Sequence, residues 1–176
     1  MKKIALVGAT LAFVLAAGSV SAANSMTTGA MGLNVTVIPE TIDFGGGNTA
    51  SSPMVSGKYF YAKEMALLGG VGFASGGPSG ASVTLIKLMG GVRKYMNTND
   101  FAPFIGGRVD YASTSGTGSA SNLSLQAQAG AEYFLAKQFS IEGSAGFGFV
   151  SISPVVGSSY TKLGTASAGV SINLYF

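Results

Sequence analysis

The sequence predicts an all-β fold, an eight-stranded antiparallel up-and-down barrel that crosses a membrane with its strands after a leader has been cleaved. Three observations lead there. The chain opens on an export signal, it is very apolar yet lacks a spanning helix, and its strand-like stretches are joined by connections that alternate between tight and long.

Lys2 and Lys3 form a positive start, residues 4–17 are an apolar run, and Val20, Ser21 and Ala22 supply the small residues of a cleavage site after Ala22 or Ala23. The run is shorter than the ~20 residues a spanning helix requires. No cysteine stands near the cleavage site, which argues against a lipid anchor. Residues 1–22 are therefore read as a signal peptide and residues 23–176 as one barrel domain. The formal charge of +3 falls to +1 when Lys2 and Lys3 leave, so no nucleic-acid partner is expected.

Only 10% of the residues are charged, and the mean hydropathy is +0.43. That balance normally signals a membrane helix. Past the leader, however, the longest apolar stretch is residues 65–74, interrupted by Gly69, Gly70 and Gly72. In hydrocarbon every backbone polar group must find a partner within the fold, so a closed β-barrel is the spanning solution left.

The first strand is read at 29–38, with Met31, Leu33, Val35 and Val37 on one face and Asn34 and Thr36 on the other. A loop at 39–53 contains Gly45, Gly46 and Gly47. The second strand, 54–61, and the third, 64–75, are joined by a turn at Ala62 and Lys63. Gly76, Gly77, Pro78, Ser79 and Gly80 then break the pattern. The fourth strand, 82–96, meets the fifth, 101–113, through a hairpin at 97–100. A small-residue loop, 114–121, leads to the sixth strand, 122–135; Ala136, Lys137 and Gln138 turn into the seventh, 139–153; and a loop at 154–159 precedes the eighth. In that last strand Val170, Ile172, Leu174 and Phe176 alternate with Ser171, Asn173 and Tyr175.

Short turns carrying Lys63, Asp100 and Lys137 thus alternate with Ser, Gly and Thr loops almost free of charge. This is the asymmetry of outer-membrane barrels, whose short turns face the periplasm. Tyr59, Tyr61, Tyr95, Phe101, Tyr133, Phe134, Phe139 and Phe176 cluster near the turns and are read as one interfacial girdle. Phe73, Tyr111, Phe147, Phe149 and Tyr160 are candidates for a second.

If the more apolar parity of each strand faces lipid, seven charges face inward: Lys58, Lys87, Arg93, Arg108, Asp110, Glu132 and Glu142. Lys94 and Lys162 break the parity, but each lies near a strand end, where a lysine reaches the interface. Lys58, Arg93, Glu132 and Glu142 stand at equal distances from their turns and should share a layer. A two-residue turn at Thr98 and Asn99 would set Lys87 opposite Asp110, with Arg108 nearby, in a second layer. Three roles compete for this network. It is a structural filling of an interior only wide enough for side chains, a gate that opens when partners exchange, or an acid–base pair in Glu132 and Glu142.

The chain has no His and no Cys, which removes His-dependent triads, thiol nucleophiles and the usual zinc sites. Gly69, Gly70 and Gly72 interrupt a strand with no helix after them and do not make a phosphate loop. Glu40 and Asp43 are too few for a calcium site. No cofactor and no enzymatic activity are expected.

The export signal, the strand count, the turn asymmetry and the closing alternation to Phe176 together resemble the small outer-membrane β-barrel family, the OmpA-like and OmpX-like proteins. The resemblance covers the whole chain after the leader. It implies residence in the bacterial outer membrane, contact with its lipid and lipopolysaccharide, and an assembly signal for the barrel assembly machinery at Val170, Ile172, Leu174, Tyr175 and Phe176. With the sequence ending at Phe176, a barrel alone is expected, without a periplasmic peptidoglycan-binding domain after it. The expected function is a non-enzymatic integral outer-membrane protein contributing to envelope structure or surface interaction, the alternatives being a narrow ion or solute channel and a soluble periplasmic ligand-binding barrel.

Overall fold

The computed structural model describes residues 26–38, 41–43, 49–51, 54–76, 82–116 and 119–176. The leader and its cleavage site, Glu40 and Gly45 to Gly47 lie outside them. The strands are β1 (Met31–Ile38), β2 (Thr41–Asp43), β3 (Thr49–Ser51), β4 (Met54–Ala62), β5 (Met65–Gly76), β6 (Val83–Tyr95), β7 (Phe101–Ser115), β8 (Ala120–Ala136), β9 (Phe139–Ser153) and β10 (Tyr160–Tyr175). Eight of them close a ring in the order β1, β10, β9, β8, β7, β6, β5, β4, every pairing antiparallel. The expected up-and-down barrel is therefore the observed fold.

Two boundaries differ from the expectation. The loop read at 39–53 contains a small antiparallel hairpin, β2 with β3, in which Thr41 pairs Ser51 and Asp43 pairs Thr49. Its β-branched Thr and Ile residues suit extended backbone. The loop read at 114–121 is shorter, because Ser113 pairs Ser121 and Thr114 pairs Ala120. Ser and Thr carry no apolar periodicity, yet they join a ladder when the partner strand continues beside them.

Strand alternation governs what faces out. Ile86, Leu88, Val92, Ile105, Val109, Leu123, Leu125, Phe147 and Phe149 are all exposed on the outer wall. Lys94 and Lys162 are exposed as well, near the ends of their strands. Tyr59, Tyr61, Phe101, Tyr133 and Phe176 are exposed near the tight turns, and Phe73, Tyr111, Phe147, Phe149 and Tyr160 elsewhere on the wall. Tyr95 and Phe134 depart from the expected girdle. They have the parity of the lumen and are 0% and 5% exposed. Nearness to a turn fixes a side chain's height along the barrel, whereas parity decides its side.

Those two rings belong to an aromatic floor at the turn end of the lumen. Met26, Phe60, Tyr95, Phe104, Phe134 and Tyr175 pack there with Ala66 and Ala102. Ring centroids lie 5.4–6.1 Å apart in pairs such as Phe134–Tyr175 and Phe60–Tyr175, a spacing at which offset or tilted rings attract. Towards the loop end Leu85, Ala112 and Ala120 form a smaller buried aliphatic cluster, with Ala74 beside it.

The floor needs room at named positions. A Cβ on Gly32 would stand 2.7 Å from the Tyr175 ring, its cross-strand partner. Gly130 is likewise overlain by Phe104, whose Cζ would lie 2.6 Å from an added Cβ. By contrast, a Cβ on Gly69 meets nothing within 4 Å. Gly32→Val should therefore destabilise the barrel by about 1–3 kcal/mol through overpacking, while Gly69→Ala should be near neutral. Urea unfolding of the two variants in lipid vesicles, followed by tyrosine fluorescence, measures the contrast.

Candidate functional site

The lumen holds the chain's concentration of buried polar chemistry. On β4, β6, β7, β8 and β9 the parity that puts aliphatic residues outside sends Lys58, Lys87, Arg93, Arg108, Glu132 and Glu142 inside, each buried. Asp110 is half-buried.

Glu132 and Glu142 are direct cross-strand partners on β8 and β9. Two like charges facing one another across a ladder destabilise it, so cations are needed between and beside them. Lys58, arriving from β4, places Nζ 2.7 Å from Glu132 Oε2 and 3.1 Å from Glu142 Oε2. Arg93, from β6, donates two parallel hydrogen bonds to Glu142, 2.7 Å to Oε2 and 2.9 Å to Oε1. Such a fork is the strong geometry for a guanidinium with a carboxylate. The Arg93 guanidinium also sits 3.7 Å from the centre of the Phe104 ring, within cation–π range.

Glu132 completes its shell with neutral donors. Tyr95 Oη donates to its Oε2 at 2.8 Å, and Tyr175 Oη and Ser140 Oγ both donate to Oε1. From Ser140 the network continues to the seam of the ring. Asn173 Nδ2 donates to Ser140 Oγ at 3.0 Å, Asn34 Nδ2 donates to Asn173 Oδ1 at 2.6 Å, and Ser56 Oγ donates to Asn34 Oδ1 at 3.1 Å. The parity of the charges alone does not single out the inward tyrosines or this Asn–Asn–Ser chain. The signal was present in the polar parity of β1 and β10, at Asn34, Asn173 and Tyr175.

The second layer differs from its expected form. Lys87 stands opposite Ala112, and Asp110 opposite Met89. The connection between β6 and β7 is longer than a two-residue turn: the Asn97 side chain accepts from the Asn99 amide at 3.0 Å, and the ladder closes at Tyr95 with Phe104. This moves the register by two, which leaves the facing of every side chain unchanged. Asp110 is instead held from its own strand by Arg108 Nε at 2.7 Å, and from β8 by Gln126 Nε2 at 2.6 Å and Ser124 Oγ at 3.3 Å. Lys87 is buried as well.

In the closing strand Phe176 is exposed, Val170, Ile172 and Leu174 are half-buried, and Tyr175 is buried in the floor. The carboxylates of Glu132 and Glu142 are occupied by the donors named above.

A buried ion pair adds little over well-packed apolar residues, but removing one partner strands the other charge and costs roughly 3–5 kcal/mol. Lys58→Met should show that loss, as it leaves two facing carboxylates with one guanidinium. Adding Glu132→Gln should recover part of it, so that the double variant is less destabilised than the sum of the singles. A double-mutant cycle by urea unfolding in vesicles measures the coupling.

No family model and no curated protein sequence matches the chain. Solved structures do. OprG of Pseudomonas aeruginosa, an outer-membrane protein, superposes with a TM-score of 0.53 at 13% identity, over 85% of this chain and 97% of that one. Neisserial surface protein A, NspA, superposes with a TM-score of 0.53 at 14% identity, over 84% of this chain and 96% of that one. At such identities the likeness is one of fold, and the fold is that of the small outer-membrane barrels which the sequence resembles.

Proposed function

We propose that the chain is a non-enzymatic integral protein of the bacterial outer membrane, contributing to envelope structure or surface interaction, with a lumen filled by side chains. The observation that carries this reading is the inversion of an ordinary core. The outer wall is a continuous band of exposed Ile, Leu, Val and Phe, while the buried face holds Lys, Arg, Glu, Gln and Asn. A protein in water would hide the first and solvate the second; a bilayer reverses the preference. The outer-membrane setting is supported by the fold it shares with OprG and NspA. Lipid and lipopolysaccharide are then its surroundings, and the barrel assembly machinery its route into them.

The filled lumen favours a structural role over conduction. Above the aromatic floor, the first ionic layer draws its partners from strands on opposite sides of the ring, Lys58 on β4 and Glu132 on β8.

The experiment is electrophoresis of the detergent-extracted membrane fraction with and without boiling, followed by planar-bilayer recording on the unboiled species. The expected result is a membrane-bound species whose mobility changes on heating and which gives no conductance steps. Extraction without detergent would favour the soluble periplasmic barrel. Steady conductance altered by Arg93→Ala or Glu132→Ala would favour the narrow channel.

A further inference from the structure

One stretch of the outer wall departs from the cover of large aliphatic and aromatic residues. Between Val92 and Phe147 the surface sinks into an open groove of about 730 Å³, a volume within the range of small-molecule sites. The register explains it. Val92, Gly107, Ala127 and Phe147 are successive cross-strand partners on β6, β7, β8 and β9, and the two middle positions are small. In the neighbouring row Ile105 is followed by Ala129 and Ala145. A Cβ on Gly107 would meet nothing within 4 Å, whereas Val92, Ile105 and Phe147 are exposed and stand up as the banks.

The groove has two unlike ends. At one, Lys94 lines the opening as the cross-strand partner of Ile105. It immediately precedes Tyr95, the last residue of β6, and so lies at the level of the tight turns. At the other end, Ala129 and Ala145 are near the middle of β8 and β9. Because the strands of a closed barrel are tilted and staggered, a single cross-strand row climbs from the turns to the middle of the wall. The groove is therefore charged at the membrane interface and apolar at mid-depth.

Lys94 is exposed, and among the described residues its side chain has no hydrogen-bond or ion-pair partner. Glu64 and Asp100, the side-chain carboxylates of the tight turns, are exposed too and do not pair with it. A lysine on a lipid-facing wall, reaching towards the interface, is complementary to a phosphate there. An apolar solute would leave the charge unused, and a free phosphate would leave the groove unused. An amphiphile with a phosphate head and a hydrocarbon tail uses both.

We propose that this groove is a binding site for one glycerophospholipid of the periplasmic leaflet, with an acyl chain over Gly107, Ala127, Ala129 and Ala145 and its phosphate held by Lys94. The site rests on the reading of the chain as an outer-membrane barrel whose short turns face the periplasm.

The test uses the full chain refolded in maltoside micelles. Its heat-modifiable mobility is checked first, so that a failure of the barrel reading is seen before any lipid is added. Native mass spectrometry then follows the protein loaded with dipalmitoyl phosphatidylglycerol as the collision energy is raised. The expected result is one lipid adduct that outlasts all others. Lys94→Gln should weaken its retention about fivefold, the worth of one lysine at an anionic membrane surface. Ala129→Phe fills the groove without changing charge and should abolish the retained adduct. Lys162→Gln, which removes an exposed cation elsewhere on the wall, should leave it unchanged. Loss of all lipid at one energy, preferential retention of detergent or lipopolysaccharide, or undiminished retention in either folded groove variant would overturn the proposal. If a variant does not fold, the unaltered protein decides. A phosphatidylglycerol with a photoreactive diazirine midway along its chain should label β8 and β9 around Ala129 and Ala145, and labelling spread evenly around the ring rejects the site.

Discussion

The interior is organised by the facing of Glu132 and Glu142 on adjacent strands. Neither carboxylate is tolerable there alone, and both together are worse, so the positions of Lys58 and Arg93 follow from the need to neutralise them. Lys58 must come from across the ring to reach both, and it does so from β4. Arg93 must present its flat fork edge-on to Glu142, and the Phe104 ring beneath keeps it at that height. The ion cluster therefore specifies an arrangement of strands more than it adds net stability, in keeping with the modest worth of buried ion pairs against apolar packing.

The aromatic floor and the ionic layer are one unit. Tyr95 and Tyr175 have their rings in the apolar cluster and their hydroxyls on Glu132. A tyrosine is suited to such a boundary because its body is apolar and its tip is polar. Gly32 and Gly130 serve the same unit by having no side chain where an aromatic ring must lie against the wall. A barrel interior of this width leaves space for one layer of side chains, so a large ring on one strand requires a small residue on the next.

Much of this was legible in the sequence. Period-two alternation gave the eight barrel strands and the inward parity of the seven charges, since in a barrel both depend only on which neighbours share a face. Height was also readable to a degree, because Lys58, Arg93, Glu132 and Glu142 stand equally far from their turns. What escaped depends on information that alternation does not carry. The register of β6 against β7 is set by how Asn97 folds the connection, and a side-chain contact within a turn has no periodic signature. Tyr95 and Phe134 were misplaced because aromatic residues suit both an interface and a floor, and position near a turn does not separate the two. The hairpin of β2 and β3 is too short to establish a period.

The Asn34–Asn173 pair has a consequence for how the ring forms. It joins residues 139 positions apart, whereas β4 to β10 each pair with the next strand in sequence. Hairpin by hairpin the sheet can grow from local contacts, which are entropically cheap, but its two edges meet only when the distant ends of the chain come together. Until then β1 and β10 each present a row of unpaired amides and carbonyls that would accept any strand in any alignment. Two amide side chains that satisfy each other in one alignment, and are left buried and unsatisfied in a slipped one, make the meeting of those edges selective. The seam thereby acts as a proofreading step in closure.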